Sequence, residues 1–261
     1  MRRRTRLTIA LAAATLVGLL WAGLGAGNHD RQDASLDALR PLPAPALEIG
    51  RPEGLSAGRH LSRWTVVRHA AAAHVRPSAG SRVVAELAIR TAEGTPNLLT
   101  VVRSRPGADG KVWVEARLPT LPNGSLGWVP RGSLGPYQVV DTHLVISRAR
   151  LRATLYRAGR RVFTAPVGIG TAAWPTPAGE FAIRSELTRY ASPFYGPIAF
   201  GTTARSAVLT DWPGGGVVGI HGTNEPYLIP GRVSHGCIRM RNEDILRLSR
   251  LMPVGTPVTI R

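Results

Sequence analysis

The residues best suited to chemistry lie in the last part of the chain, around its single cysteine. Cys237 follows Gly236 and His235, and a second histidine, His221, stands sixteen residues earlier, directly before Gly222. A free thiol has a pKa of about 8.5, and a nearby imidazole can take its proton and hold the thiolate as an ion pair. This combination of residues predicts thiol chemistry with Cys237 as the nucleophile.

Either histidine could serve as the base. His221 ends the apolar run 217–220, which predicts a strand that delivers the ring from a fixed position. His235 lies two residues before Cys237, and the glycine between them leaves its direction undetermined.

A catalytic imidazole also needs a partner on its second nitrogen. Asp211 is one candidate for His221, although a glycine-rich segment separates the two. A backbone carbonyl is another, and Gly222 allows the chain to turn tightly beside the ring. Gly236 beside the nucleophile allows backbone N–H groups to point at a developing oxyanion.

A metal site is the competing interpretation. Two histidines and one cysteine could hold zinc with an open position. However, the sequence has no Cys-x-x-Cys or His-Glu-x-x-His pattern and no acidic residue adjacent to either histidine. We therefore expect no bound metal.

The elements that must position these residues are mostly strands from about residue 136 onward. Segments 137–140 and 143–146 are expected to form an opening pair, and Ala158-Gly159 predicts a hairpin turn. The proline-rich stretch from Pro175 is expected to be a loop that re-enters the sheet at Phe181.

One helix is predicted after the thiol motif. Asn242 is suited to its N-cap, and Pro253 ends it. The expected buried stripe consists of Ile245, Leu246, Leu248 and Leu251.

Residues 61–135 contain about five short strands separated by glycine turns, including Asp109-Gly110, which predicts a small barrel. The segments 75–77, 112–114 and 127–130 resemble a bacterial SH3-like domain. This region carries no plausible nucleophile or base, so we expect it to position the protein without taking part in the chemistry.

The N-terminus predicts export. Four arginines precede an uncharged apolar run of 21 residues, 7–27, which fits a signal peptide or a retained membrane anchor. Residues 28–60 carry Pro41, Pro43, Pro45 and Pro52 and predict a semi-extended linker. An exported protein with one cysteine has no intramolecular disulfide, so Cys237 is either inert in the core or kept for its reactivity.

The net charge of +17 indicates a polyanionic neighbour. Export makes nucleic acid an unsuitable partner, which leaves anionic wall polymers or an anionic membrane. Solvated arginine faces without a partner are the alternative.

His221-Gly222 followed by the stretch Ser234 to Met240 resembles the signature of L,D-transpeptidases of the YkuD type, and the stretch from Pro175 to Phe181 resembles a second family segment. The similarity covers residues 136–261. It implies a mainly β fold: a β-sandwich-like catalytic domain with few helices, following the small SH3-like barrel.

The resemblance also implies roles for the residues. Cys237 corresponds to the nucleophile and His221 to the base, with the Gly222 carbonyl as its partner. His235 and the backbone of Gly236 and Cys237 would form the oxyanion and substrate-binding side. The substrate-binding set is completed by Ser234, which is expected chiefly to form a turn, and by Arg239, expected to support the site or bind substrate carboxylates.

The implied reaction is acyl transfer on peptidoglycan stem peptides that forms 3→3 cross-links through a cysteine thioester, with no metal or organic cofactor. The same thioester could instead react with water, as in an L,D-carboxypeptidase, or with a protein amine. A non-catalytic wall-binding protein is the alternative from another class. Tyr195 and Trp174 are candidates for the cleft wall, and Glu180 and Asp211 are candidates for attracting an acceptor amine.

Overall fold

The computed structural model describes residues 60–188, 192–209 and 216–261. The predicted export segment, almost all of the predicted linker, and Asp211 lie outside these ranges. Regular structure in the described residues consists of two β-sheets, one α-helix and short 3-10 turns, which confirms the predicted mainly β fold with few helices.

In the described part of the chain, no helix has the length and apolar character needed to cross a bilayer.

The first sheet is antiparallel and has seven strands in the order β3-β2-β6-β5-β4-β1-β7. Its strands pack a hydrophobic core of their own, which includes Ala73, Leu99 and Val114. The SH3-like classification stays a prediction. The strands are β1 (Ser62–Val66), β2 (Ala71–His74), β3 (Val83–Leu87), β4 (Leu98–Pro106), β5 (Val112–Arg117), β6 (Leu126–Pro130) and β7 (Gln138–Val140).

Strand β7 differs from the sequence expectation. Its residues were expected to pair with 143–146, but they pair with β1, from Ser62↔Val140 to Trp64↔Gln138. One edge of β1 is already occupied by β4, and β7 satisfies the backbone groups on the other edge. The first sheet therefore extends past residue 135, where the sequence analysis placed a domain boundary.

The second sheet has ten strands in the order β10-β9-β8-β17-β12-β13-β14-β16-β11-β15. Its elements are β8 (Thr142–Ser147), β9 (Arg152–Arg157), β10 (Arg160–Pro166), β11 (Gly168–Gly170), β12 (Gly179–Leu187), β13 (Ala199–Arg205), β14 (Val217–His221), β15 (Gly231–Ser234), β16 (Ile238–Arg239), helix α1 (Asn242–Ser249) and β17 (Pro257–Ile260).

Strand β12 joins the two halves of this sheet. Its first half pairs with β17 and its second half with β13, and the register shifts between Ile183 and Ser185. Both halves contribute to one core, for example Leu144 and Leu155 from one half and Phe200 and Ile220 from the other. This arrangement produces the expected sandwich-like fold.

The predicted hairpin turn at Ala158-Gly159 connects β9 to β10, and both residues have positive φ, 47° and 77°. Two successive positive φ values characterise the type I′ turn, whose twist matches that of the adjoining strands.

Helix α1 differs from its prediction in two ways. Its N-cap is Arg241, and Asn242 is the first helical residue, with its side chain directed to another segment. Ile245 and Leu248 are fully buried, whereas Leu246 is 38 % exposed and does not belong to the buried stripe.

These exposures predict that substitution by alanine lowers the free energy of unfolding by different amounts at the two positions. Leu248→Ala should lower the free energy of unfolding by about 2–5 kcal/mol because it leaves a cavity in the core. Leu246→Ala should change it by no more than about 0.5 kcal/mol, as expected at a surface position. Urea denaturation followed by tryptophan fluorescence measures both, and equal losses would contradict the helix orientation.

Candidate active site

His221 lies at the end of β14, in the middle of the second sheet. Its side chain is only 2 % exposed. On one side β14 pairs with β13, and on the other with the short parallel strand β16, with His221 opposite Arg239. The N–H of Met240 donates to the carbonyl of His221 at 2.8 Å, which fixes the backbone at this point.

The same pairing brings Cys237, the residue before β16, beside β14. The N–H of Gly219 donates to Cys237 Sγ at 3.4 Å. A Cβ on Gly219 would lie 3.9 Å from both Cys237 Sγ and His221 Cδ2, so the thiol and the imidazole flank one glycine. Sequence reasoning missed Gly219, because its role depends on this strand pairing.

The thiol and the imidazole line one cleft. Phe194, Tyr195 and His235 contribute to the same cleft. Cys237 as a residue is half-buried, and it is one of the groups that line the cleft.

The hydrogen bond of His221 determines its tautomer. Nδ1 lies 2.6 Å from the carbonyl oxygen of Gly222. A carbonyl only accepts hydrogen bonds, so Nδ1 carries the proton and Nε2 keeps its lone pair. The structure thus places the Gly222 carbonyl where the sequence analysis sought a partner for the ring.

Burial makes the charged forms of both groups unfavourable. It lowers the pKa of His221 to about 4, and the charge of Arg239 acts in the same direction, while the hydrogen bond to Gly222 opposes the shift. Burial also raises the pKa of the Cys237 thiol, against the opposing effects of the Gly219 N–H and Arg239.

At neutral pH the resting site therefore holds a neutral thiol and a neutral imidazole. This differs from the expected thiolate–imidazolium pair, because each charge would lose its hydration in the cleft. The proton should move during the attack of the sulfur, not before it.

Side-chain hydrogen bonds to its own backbone hold the turn that carries Cys237. Ser234 Oγ donates to the carbonyl of Cys237 at 2.6 Å and accepts the N–H of Gly236 at 3.1 Å. Thr176 Oγ1 donates to the carbonyl of Gly236 at 2.8 Å. Ser234 is thus a turn-forming residue, and Gly236, with φ of +112°, adopts a conformation that side chains rarely allow.

The N–H of Gly236 is used within the turn by its bond to Ser234. The oxyanion role expected of the Gly236–Cys237 backbone stays a prediction.

Arg239 is 5 % exposed although it lines the cleft. Its Nη1 lies 3.0 Å from Glu225 Oε2, and its guanidinium lies 4.5 Å from the centre of the Phe194 ring. Of the two roles expected for Arg239, this pairing favours support of the site over binding of a substrate carboxylate.

Aromatic rings surround both histidines. Tyr195 packs edge-on against His221 with ring centres 4.8 Å apart, and Trp174 packs against His235 at 4.4 Å. His235 is exposed at the rim, unlike the buried His221.

Glu180 accepts a hydrogen bond from Thr259 and lines a different recess, so the structure does not place it at the cleft as the sequence analysis suggested.

Asn242 is a further residue of the site that sequence reasoning assigned to another role. Its Oδ1 accepts the N–H of Thr223 at 2.9 Å, directly after the carbonyl that orients His221. A Cβ on Gly222 or on Gly196 would collide with this same oxygen. Asn242 therefore holds the turn after β14 in close contact with the segment that carries Tyr195. The sequence offers only its proximity to the thiol motif as a signal.

The described residues contain no cluster of three or more His, Cys, Asp or Glu side chains arranged to bind a metal.

The chain is also similar in sequence to known proteins. The model of the YkuD L,D-transpeptidase catalytic domain matches residues 141–260. YkuD of Bacillus subtilis, a protein assigned as an L,D-transpeptidase, is 38% identical over 125 residues, which are 48% of this chain and 68% of that protein.

The chain belongs to the YkuD family of L,D-transpeptidase catalytic domains.

The chain is similar to two further proteins. YbiS of Escherichia coli, also assigned as an L,D-transpeptidase, is 30% identical over 213 residues, covering 70% of this chain and 66% of that protein. The chain thus spans about two thirds of the length of these two relatives. The solution structure of the catalytic domain of an Enterococcus faecium L,D-transpeptidase is 23% identical, covers 46% of this chain and 97% of that chain, and has a TM-score of 0.36.

For this transpeptidase domain, the contact of Asn242 predicts a loss of reactivity. Asn242→Ala leaves the N–H of Thr223 without its partner, at a cost of about 1–3 kcal/mol, and frees the turn that orients His221. Acylation of Cys237 by a carbapenem, a strained acyl donor, should slow by roughly tenfold. Stopped-flow fluorescence measures the rate. Asn242→Asp keeps the acceptor oxygen and should retain most of the acylation rate. An alanine variant that reacts as fast as the wild type would contradict the role of Asn242 in holding this turn.

The pKa of His221 predicts the pH profile. Since burial lowers that pKa to about 4, the ring keeps its free lone pair through mildly acidic pH, and carbapenem acylation should fall only as pH approaches about 4. His221→Gln should slow acylation by about 10²–10⁴-fold, whereas His235→Gln should have a much smaller effect. An inflection near the ordinary histidine pKa of about 6.5, abolished by His221→Gln, would contradict the neutral resting pair.

Stability must be followed in the same experiment. The lowered pKa means that the unfolded chain binds more protons than the native one between about pH 6.5 and 4, so His221 lowers the free energy of unfolding as pH falls through this window. Circular dichroism at each pH separates loss of fold from loss of reactivity.

Proposed function

We propose that this protein joins peptidoglycan stem peptides by 3→3 cross-links through a thioester on Cys237. The observation that carries the proposal is a thiol in one cleft with a buried, neutral imidazole whose Nδ1 is held by the Gly222 carbonyl. Family membership supports the reaction class, and the geometry supports the roles of nucleophile and base.

In the first half-reaction, Cys237 Sγ attacks the carbonyl that joins the diamino acid at position three to the terminal D-alanine. Nε2 of His221 takes the thiol proton as the S–C bond forms. The C–N bond then breaks, and the proton passes from His221 to the departing amine of D-alanine. The Gly219 N–H beside the sulfur stabilises the negative charge that develops there.

In the second half-reaction, an amine on a neighbouring stem attacks the thioester carbonyl. His221 accepts a proton from this amine, the C–S bond breaks, and the proton returns to the sulfur. The product is an amide between two stems, and the free thiol is regenerated. A neutral resting pair suits this cycle, since His221 begins each half-reaction as a base.

The setting of the reaction is also part of the proposal. The arginine-led apolar segment of residues 1–27 supports export, with either cleavage or a retained anchor, and the net charge of +17 supports contact with anionic wall polymers or an anionic membrane. Residues 60–140 form a separate sheet with its own core, which fits a module that holds the enzyme on its polymer.

The first test concerns the nucleophile. A carbapenem should add one equivalent to the wild-type protein, visible as a mass shift of the intact chain, and Cys237→Ala should show none. Serine in place of cysteine, Cys237→Ser, is the closest control in size. An adduct on the alanine variant would place the nucleophile elsewhere and refute the proposal.

The second test concerns the acceptor. Residues 28–261 are incubated with a disaccharide tetrapeptide, with EDTA present, and the products are analysed by mass spectrometry. A dimer lighter than two substrates by one D-alanine supports cross-linking. Tripeptide monomer alone at high acceptor concentration would indicate an L,D-carboxypeptidase, and neither product, with carbapenem acylation intact, would indicate a protein amine as acceptor.

A further inference from the structure

The turn between β5 and β6 in the first sheet reaches the second sheet at the end of β13. Asn123 Nδ2 donates to the carbonyl of Arg205 at 2.7 Å, and Asn123 Oδ1 accepts the N–H of Arg205 at 3.0 Å. One amide side chain thus satisfies both backbone groups of a single residue, as a neighbouring strand would.

Two further contacts connect the same regions. Arg205 Nε donates to the carbonyl of Pro119 at 2.9 Å. Arg184 of β12, with a side chain only 3% exposed, pairs at 2.6 Å with Glu93, in the loop between β3 and β4. The end of β13 itself is held by Asn123 and Pro119, which lie outside the matched catalytic region.

The segment directly after Arg205 contributes to the wall of the active-site cleft. Ser206 Oγ accepts the N–H groups of Val208 and Leu209, at 3.3 and 3.0 Å, and the N–H of Ser206 donates to the carbonyl of Gly216 at 2.8 Å. Ser206, Leu209 and Gly216 line the cleft together with Cys237. Asn123 is thus hydrogen-bonded to the residue immediately before this wall.

We propose that Asn123 is a positioning residue for the transpeptidase site. It holds Arg205, the residue directly before the cleft wall, and through this contact the N-terminal sheet controls how the acyl donor binds. This gives residues 61–135 a role in the reaction that the sequence analysis did not expect. The inference rests on the proposed acylation of Cys237 for its kinetic readout, but not for its structural one.

The test compares Asn123→Ala with the wild type in the full chain. The ratio of the acylation rate constant to the half-saturating carbapenem concentration should fall by roughly tenfold, as expected for two lost hydrogen bonds. Alkylation by iodoacetamide, which is too small to need the wall, should stay within about twofold of the wild type. Amide hydrogen exchange at residues 205–209 should accelerate.

Glu93→Gln is the matched control, since it weakens another contact between the same two regions without touching the cleft wall. It should leave acylation unchanged. The inference would be overturned if Asn123→Ala were acylated as efficiently as the wild type. It would also be overturned if Glu93→Gln lost as much acylation efficiency as Asn123→Ala. Asn123→Ser, which keeps a polar group at this turn, replaces the alanine variant if that variant does not fold, and the same outcomes apply.

The two hypotheses fail in different ways. A wild-type chain that takes up no carbapenem would refute the proposed function, while hydrogen exchange would still report on the contact of Asn123 with Arg205. A wild-type chain that is acylated, with an alanine variant identical in both acylation and exchange, would refute only the positioning role.

Discussion

The hydrogen bond between His221 Nδ1 and the carbonyl of Gly222 is the constraint on which the site depends. It requires the chain to turn back against the ring immediately after β14, which a side chain at position 222 would prevent, since its Cβ would meet Asn242 and lie 3.0 Å from Pro197. The turn, in return, fixes the tautomer that leaves Nε2 free. A base directed by a backbone carbonyl needs no buried carboxylate, and so adds no negative charge to a desolvated cleft.

Burial also explains why His221 and Cys237 carry no charge in the resting cleft. The charge of Arg239 acts on both catalytic groups: it opposes protonation of His221 and favours ionisation of Cys237. Its ion pair with Glu225 offsets part of that positive charge. Thr223 connects Glu225 to Asn242 by successive hydrogen bonds, so one short segment sets both the orientation of the base and the electrostatics around it.

Sequence reasoning identified the parts of the structure that depend on residues close together in the sequence. His221 was expected at the end of an apolar strand, Cys237 in a glycine turn, and the Ala158-Gly159 hairpin from its turn residues, and the structure places each of them there. It did not identify contacts made across the sheet. Gly219 meets the thiol through strand pairing, Asn242 reaches back over nineteen residues, and β7 joins the sheet of β1. Such contacts depend on tertiary packing, which overrides local preferences such as that of asparagine for an N-cap.

Different contacts hold the catalytic groups and the wall of the cleft. His221 ends a strand that is paired on both sides, and Cys237 lies directly before β16 in a turn held by Ser234 and Thr176, so their geometry is rigid. The wall residues Ser206 and Leu209 follow the end of β13, and Arg205 directly before them is held by Asn123 from the turn between β5 and β6. Rigid strands therefore preserve the reactivity of the thiol, while contacts between the sheets can adjust which donors reach it. The chemistry and the choice of substrate can then change independently of each other.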